Sequence, residues 1–251
     1  MSDRMKTIVF ALILCLVCST LLTAASTWLQ PLQTQNIQTD RKKNILMAIG
    51  LLDTSQACPA DEIDRIYQKN IFKYIVNQTG TIIDQPDATS DDQEGLMPIY
   101  LAMDDNKKIR SYIIPIETRG LWGKIYGYLA LEGDGSTIVG FTVYKHSETP
   151  GLGGEIENRW FQKNFVGKKI VDQKNNFVSV SVAKGRAADQ VSGDKLVNFV
   201  DGISGATLTG QFLTKGLQEI LTEYEPASVR FRQNLLQCRM QTNVPWCENE
   251  K

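Results

Sequence analysis

The sequence predicts an α+β fold: an N-terminal transmembrane helix followed by an extracytoplasmic domain with a mainly antiparallel sheet and flanking helices. Three observations predict it. Residues 7–27 form an apolar stretch without a single charge. Residues 81–145 break into short runs rich in β-branched and aromatic side chains. Helical patterns precede and follow those runs without alternating strictly with them, which argues against a doubly wound parallel sheet.

The apolar stretch is about 20 residues long and reaches about 30 Å as a helix, enough to cross a bilayer. It exceeds the h-region of a cleaved signal peptide, and Thr23-Ala24-Ala25-Ser26 is a mediocre cleavage site, so a retained anchor is the expectation. Arg4 and Lys6 abut the span, whereas Arg41, Lys42 and Lys43 lie well beyond its other end, which favours a cytoplasmic N-terminus. Cys15 and Cys18 fall inside the span, where cysteine is a small apolar residue and two thiols alone hold no metal. Of the other three cysteines, Cys238 and Cys247 can pair outside the cytoplasm, which would leave Cys58 odd.

Past Pro31, residues 35–52 read as a stalk helix that ends at Cys58-Pro59. A second, amphipathic helix starts near Pro59, with Asp61 and Glu62 at its positive end and Ile63, Ile66, Ile71, Tyr74 and Ile75 on its apolar face as far as Asn77. Strands are expected at 81–84, 98–103, 108–116, 124–131 and 137–145, with a surface loop at 85–95. Gly133-Asp134-Gly135 makes the turn of a hairpin. A helix beginning near Gly154 carries Ile156, Trp160, Phe161 and Phe165, a strand covers 177–183, and a helix covers 209–224. Pro226 then breaks the chain before a last helix over 229–240.

The 251 residues leave room for one span and one or two modest domains, and a net charge of −1 gives no footprint for nucleic acid. No Rossmann glycine fingerprint follows a strand, and the soluble part has no histidine or cysteine cluster for haem or zinc. Chemistry concentrates instead in Asp201-Gly202-Ile203-Ser204-Gly205-Ala206-Thr207-Leu208-Thr209. Gly205 and Ala206 clear space around the Thr207 hydroxyl, and the following helix start offers free backbone N–H groups and a partial positive charge, a phosphate site with a hydroxyl in it. On spacing alone the better reading is a helix cap, with Ser204, Thr207 or Thr209 capping and the glycines forming a turn.

Asp201-x-x-Ser204-Gly205-Ala206-Thr207 resembles the flavinylation motif of FMN-binding domains, in which the final threonine bears FMN as a phosphoester. Glu148-Thr149-Pro150-Gly151-Leu152-Gly153-Gly154-Glu155 resembles a second loop of those domains, and Gly120-Leu121-Trp122-Gly123 a third segment upstream. The layout as a whole resembles the C-type members of the sodium-translocating NADH:quinone reductases. The G-type members of the ferredoxin:NAD oxidoreductase complex share anchor and motif, but the long segment between span and flavin motif favours the C type. Gly210, where a small hydroxyl residue is expected, departs from the pattern and is expected to loosen the helix start.

The resemblance implies four regions: a stub and transmembrane helix (1–30), a stalk with helical and β structure (31–115), an FMN-binding domain (116–225), and a C-terminal helix and tail (226–251). It implies covalent FMN on Thr207, with Asp201, Ser204, Gly205, Ala206, Glu148, Thr149, Gly151, Leu152, Gly153 and Trp122 around it. Leu152 would pack on the ring, and Asp201 either orients the hydroxyl or holds the turn. Trp122 covers the flavin or, as the better reading of an aromatic next to a strand, fills the core. His146 reads as a turn residue. The resemblance further implies a magnesium-dependent flavin transferase that loads FMN from FAD and a bacterial inner-membrane location with the main domain in the periplasm. Its redox partners are the other subunits of a multi-subunit membrane complex that oxidises NADH, reduces ubiquinone and exports Na+. A flavin-free structural module is the rival of a different class.

Overall fold

In the computed structural model, the described residues are 2–52, 58–83, 95–105 and 108–233. Residues 85–94 of the loop expected at 85–95, the end of the helix expected at 229–240, and Cys238 and Cys247 lie outside them. The chain forms two compact units, residues 1–41 and 42–251.

The first unit is helical. Helix α1 (Asp3–Ala48) carries the apolar stretch, its side chains exposed along that length, and among the described residues it is the one helix long and apolar enough to cross a membrane. The span and the stalk helix expected past Pro31 are one continuous helix, with Pro31 inside α1. A proline removes one backbone donor, and the unbroken helical sequence on either side supplies the rest of the ladder.

The second unit is built on a six-stranded, wholly antiparallel sheet. Its strands are β1 (Ile71–Val76), β2 (Ile82–Ile83), β3 (Met97–Met103), β4 (Ile109–Arg119), β5 (Lys124–Glu132) and β6 (Ile138–Lys145), in the order β2-β1-β3-β4-β5-β6. The expected runs thus appear as strands. The β5–β6 hairpin turns where Gly135 takes φ +68° and the Asp134 carboxylate accepts the Ser136 and Thr137 amides. Strand β4 runs unbroken through residues 115 and 116.

Strand β1 is a correction, since the spacing of residues 71–76 predicts a continuation of the preceding helix. That helix, α2, spans only Ala60–Asn70, and Asn70 Nδ2 donates to the Ile66 carbonyl at its end. Ile71, Tyr74 and Ile75 fit a helical face by spacing alone. Six consecutive pairings with β3 decide for strand, as β-branched and aromatic side chains favour.

Alternation along the central strands serves two cores. On one face Tyr112, Ile114, Ile116 and Leu129 meet Leu213, Leu217, Leu221 and Phe231 of helix α4 (Thr207–Arg232). On the other, Ile113, Tyr128 and Ala130 meet Ile45, Leu46 and Ala48 from the end of α1 and Ile63 from α2. Lys42 Nζ bonds Asp64 at 2.8 Å and lies over the Tyr67 ring, joining those two helical segments.

Helix α4 replaces the two helices expected around Pro226. Packing outweighs the proline. Tyr112 stacks on Phe231 at 4.1 Å and donates to Ser228 Oγ, Tyr224 donates to the Pro98 carbonyl, and Gly80 lies so near that a Cβ there would meet the Pro226 carbonyl carbon at 2.3 Å. The segment from Gly153 to Lys163 is a 3-10 turn (Gly153–Glu157) followed by the short helix α3 (Arg159–Lys163), with Phe165 beyond it. The strand expected at 177–183 shortens to β7 (Ser181–Val182), which pairs in parallel with β8 (Phe199–Val200).

Two consequences are measurable. A Cβ at Gly216 would lie 1.6 Å from Thr118 Oγ1, so Gly216→Ala should lower stability by about 1–3 kcal/mol despite alanine's better helix propensity. In a denaturant titration Thr118→Ala should restore part of that loss. Burial pushes the Tyr67 hydroxyl up to about 12 from an ordinary 10.0, and burial raises Tyr112 and Tyr224 as well. The folded state therefore holds these protons longer than the unfolded chain, and the stability that Tyr67 contributes is present below pH 10 and lost as pH rises through about 12. Tyr67→Phe should make the fall of stability between pH 10 and 12 measurably shallower.

Candidate functional site

Three segments converge at the N-terminal end of α4. The first is the turn between β4 and β5, residues 120–123, closed by Gly120 N–H donating to the Gly123 carbonyl. The second is the loop after β6, residues 146–154. The third is the run from β8 into α4. Together Leu121, Trp122, Glu148, Thr149, Leu152, Gly153 and Gly205 to Thr209 line a cleft of about 340 Å³, inside the roughly 300–1,000 Å³ range of small-molecule sites.

Each wall has a local reason for its shape. In the second segment the Thr149 carbonyl accepts from both Leu152 and Gly154, and Gly151 takes φ +74° at the exposed tip. His146 stands behind the loop. Its Nδ1 accepts the Glu148 amide at 3.1 Å, which puts the ring proton on Nε2, where it faces Glu157 at 3.1 Å. In the third segment Gly205 has φ +76°, and Ala206 precedes α4 without any side-chain cap. The cap expected from Ser204, Thr207 or Thr209 is therefore absent at this helix start. Gly210 N–H makes the first helical bond, to the Ala206 carbonyl, and leaves the amides of Thr207, Leu208 and Thr209 ahead of it without an intrahelical acceptor.

Thr207 is half-buried, and its hydroxyl makes no hydrogen bond among the described residues. Thr209, one half-turn on, is 2% exposed and donates through Oγ1 to Glu148 Oε2 at 2.6 Å. Glu148, 5% exposed, also accepts the Trp122 amide through Oε1 at 3.0 Å. The arrangement offers an unengaged hydroxyl beside unpaired amides and a partial positive helix end, with apolar side chains around it.

Among the residues singled out from sequence, Trp122, Glu148, Thr149, Leu152, Gly153, Gly205, Ala206 and Thr207 come together on this cleft. Asp201, Ser204 and Gly151 are not on its lining. Asp201 Oδ1 accepts the Ala187 amide at 2.7 Å, and Gly202 N–H donates to the Gly185 carbonyl, so this pair ties the approach to α4 onto the 183–187 loop. Trp122 is 69% exposed, which corrects the expectation that it fills the core: its backbone is fastened by Glu148 while its ring stands at the cleft mouth. Gly210 does not loosen the helix. A Cβ there would come 3.2 Å from Val182 Cγ1, and Thr214 Oγ1 bridges the Gly210 carbonyl and the Val182 amide.

Sequence reasoning overlooks Thr209 as the partner of Glu148, and Leu121 and Leu208 as exposed rim residues. Leu208, an apolar residue in the first turn flanked by threonines, is the visible signal.

A model of the FMN-binding domain matches residues 120–222, a stretch that includes all three walls of the cleft. The C subunit of the Na(+)-translocating NADH-quinone reductase of Yersinia pestis is 34% identical over 229 residues, covering 81% of this chain and 83% of that protein. The chain belongs to this C-type family. The Pseudomonas aeruginosa member is 32% identical over 242 residues, covering 86% of this chain and 89% of its own. The crystal structure of the Parabacteroides distasonis member superposes with a TM-score of 0.66 at 30% identity, over 80% of this chain and 96% of that one. The membership agrees with the α+β fold and apolar N-terminal helix described above, and selects the C type over the G type.

The Asp201 bond makes a prediction of its own. Asp201→Ala should cost about 1–2 kcal/mol in chemical denaturation, the size of a charge-assisted hydrogen bond to backbone. Asp201→Asn, which keeps the acceptor oxygen, should cost less than half of that.

Proposed function

We propose that this chain is a membrane-anchored electron carrier that holds FMN as a phosphoester on Thr207, within a complex that oxidises NADH, reduces ubiquinone and exports Na+. One observation carries the reading: among the described residues the Thr207 hydroxyl has no protein partner, and it stands at an uncapped helix start inside the FMN-binding segment. A capping threonine would have its oxygen engaged with a backbone amide.

The residues present fit the group. The amides of Thr207 to Thr209 suit a phosphate dianion, and Gly205 and Gly153 keep the cleft floor low beside Leu152. Leu121, Trp122, Leu152 and Leu208 are exposed apolar side chains around the opening that suit a flat aromatic ring. When bound, FMN supplies the capacity to accept and release electrons singly or in pairs. The chain's part is to hold, orient and shield. On this reading, electrons reach the mature carrier from a metal centre near the membrane and leave to a flavin on a neighbouring membrane protein of the complex.

Attachment needs a second enzyme. No base contacts the Thr207 hydroxyl among the described residues, and His146 is engaged behind the loop with Glu148 N–H and Glu157. On this reading a magnesium-dependent flavin transferase takes the hydroxyl proton. Thr207 Oγ then bonds the flavin-side phosphorus of FAD, the pyrophosphate link breaks, and AMP departs. Arg4 and Lys6 before the apolar stretch support a cytoplasmic N-terminus in the bacterial inner membrane, with the FMN domain in the periplasm.

Co-expression with a flavin transferase should add one FMN mass to the peptide containing Thr207 and give a fluorescent band after denaturing electrophoresis. Thr207→Ala should abolish both, while Thr207→Ser should retain some modification. An unmodified Thr207 in protein purified from its native membrane would overturn the proposal.

A further inference from the structure

The least expected group in the cleft is a buried acid. Glu148 lies under the rim rather than on it, and both of its oxygens accept hydrogen bonds, from the Trp122 amide and the Thr209 hydroxyl. Space for the carboxylate is built in on two sides. A Cβ at Gly120 would come 2.5 Å from Oε1, and a Cβ at Gly153 would come 2.7 Å from Oε2 and 2.5 Å from Thr209 Oγ1. Neither glycine has the positive φ that would explain it by backbone conformation. Their smallness serves the acid.

The three walls of the cleft thus hang on one carboxylate: the 120–123 turn through Trp122 N–H, the 146–154 loop through Glu148 itself, and α4 through Thr209. Successive helical residues are about 100° apart, so Thr207 and Thr209 differ by about 200° around the helix axis. Fastening Thr209 inward turns Thr207 outward, as their burial shows. A buried acid is costly unless its acceptors are satisfied, and hydrophobic packing could have joined these segments at lower cost. Directional bonds set the rotation of the first helical turn, which packing alone leaves loose.

We infer that Glu148 is the positioning residue of this site: by clamping Thr209 and the Trp122 turn it sets the first turn of α4 so that the Thr207 hydroxyl stands free in the cleft to accept the flavin phosphate. The inference rests on the flavin reading for its acceptor step. Its clamp is testable without flavin.

Full-length protein in detergent supplies the test, with Glu148→Ala, Glu148→Gln, Thr209→Val and the distant control Ser228→Ala, which disturbs the buried Tyr112–Ser228 contact at the other end of α4. Glutamine keeps the shape and can accept from the Trp122 amide through its carbonyl while donating to Thr209 Oγ1. In the flavin-free protein, amide exchange in peptides covering 120–123 and 207–210 should accelerate together at least about tenfold in Glu148→Ala, stay near wild type in Glu148→Gln, and accelerate mainly at 207–210 in Thr209→Val. With flavin transferase and FAD, the initial rate of FMN transfer should fall at least about tenfold in Glu148→Ala and recover to within about threefold in Glu148→Gln. Ser228→Ala, even if equally destabilised, should load at the wild-type rate. Wild-type loading and exchange in Glu148→Ala, or equal slowing in the Ser228 control, would overturn the inference. Wild-type protein that takes up no FMN would instead sink the flavin reading, and the exchange data would still decide the clamp.

Discussion

Helix α4 lies so close to strand β4 that at Gly216 one added carbon would collide with the Thr118 side chain. This contact constrains everything downstream of it. Successive apolar side chains of α4, ending in Phe231 stacked on Tyr112, lock the helix along the sheet. The helix start is thereby placed at the end of the sheet where the β4–β5 turn and the loop after β6 also emerge. A phosphate-sized site needs a helix N-terminus that does not drift, and one long helix pinned along its length to a six-stranded sheet provides a rigid mounting for it.

The rigid mounting has a second layer made of polar bonds. The Asp201–Ala187 and Gly202–Gly185 bonds fix the chain entering α4, and the Thr214 hydroxyl links the helix to β7. His146 braces the loop after β6 from behind. None of these groups faces the cleft, yet each removes a degree of freedom from a wall of it. The residues left without such duties are Thr207 and the exposed apolar chains of Leu121, Trp122, Leu152 and Leu208. An unengaged hydroxyl and exposed apolar side chains gathered around one cleft mark a place where the molecule interacts with something else.

Most of this is legible in the chain. Runs rich in β-branched and aromatic side chains disclose β3 to β6, and the Asp201 to Thr209 segment points to the site through its resemblance to a flavinylation motif, since spacing alone leaves it a helix cap. What escapes is set by tertiary packing. Pro226 reads locally as a break, yet it costs one hydrogen bond, and the contacts of α4 with Gly80, Tyr112 and Pro98 outweigh that cost. Ile71 to Val76 fits both helical and strand spacing, and only the partner strand β3 decides. Trp122 reads as a core residue because aromatics beside strands usually go there. Its exposure follows from a bond between its own amide and an acid 26 residues away, which no local pattern encodes. Thr209 reads as a cap for the same reason: its partner is 61 residues distant.

The cleft's proportions bear on why a carrier of this kind would use an ester. A site of about 340 Å³ whose apolar lining stands largely in solvent can bury only part of a flavin, and partial burial limits affinity because little apolar area is removed from water. Deepening the cleft would strengthen binding but would also wall the ring away from redox partners. The proposed ester to Thr207 would separate retention from burial: the bond would keep the group, and the protein surface would be free to leave an edge exposed for electron exchange. On that account the shallow, apolar, partly open form of the site follows from its function, and the demanding requirement shifts from binding strength to the placement of one hydroxyl.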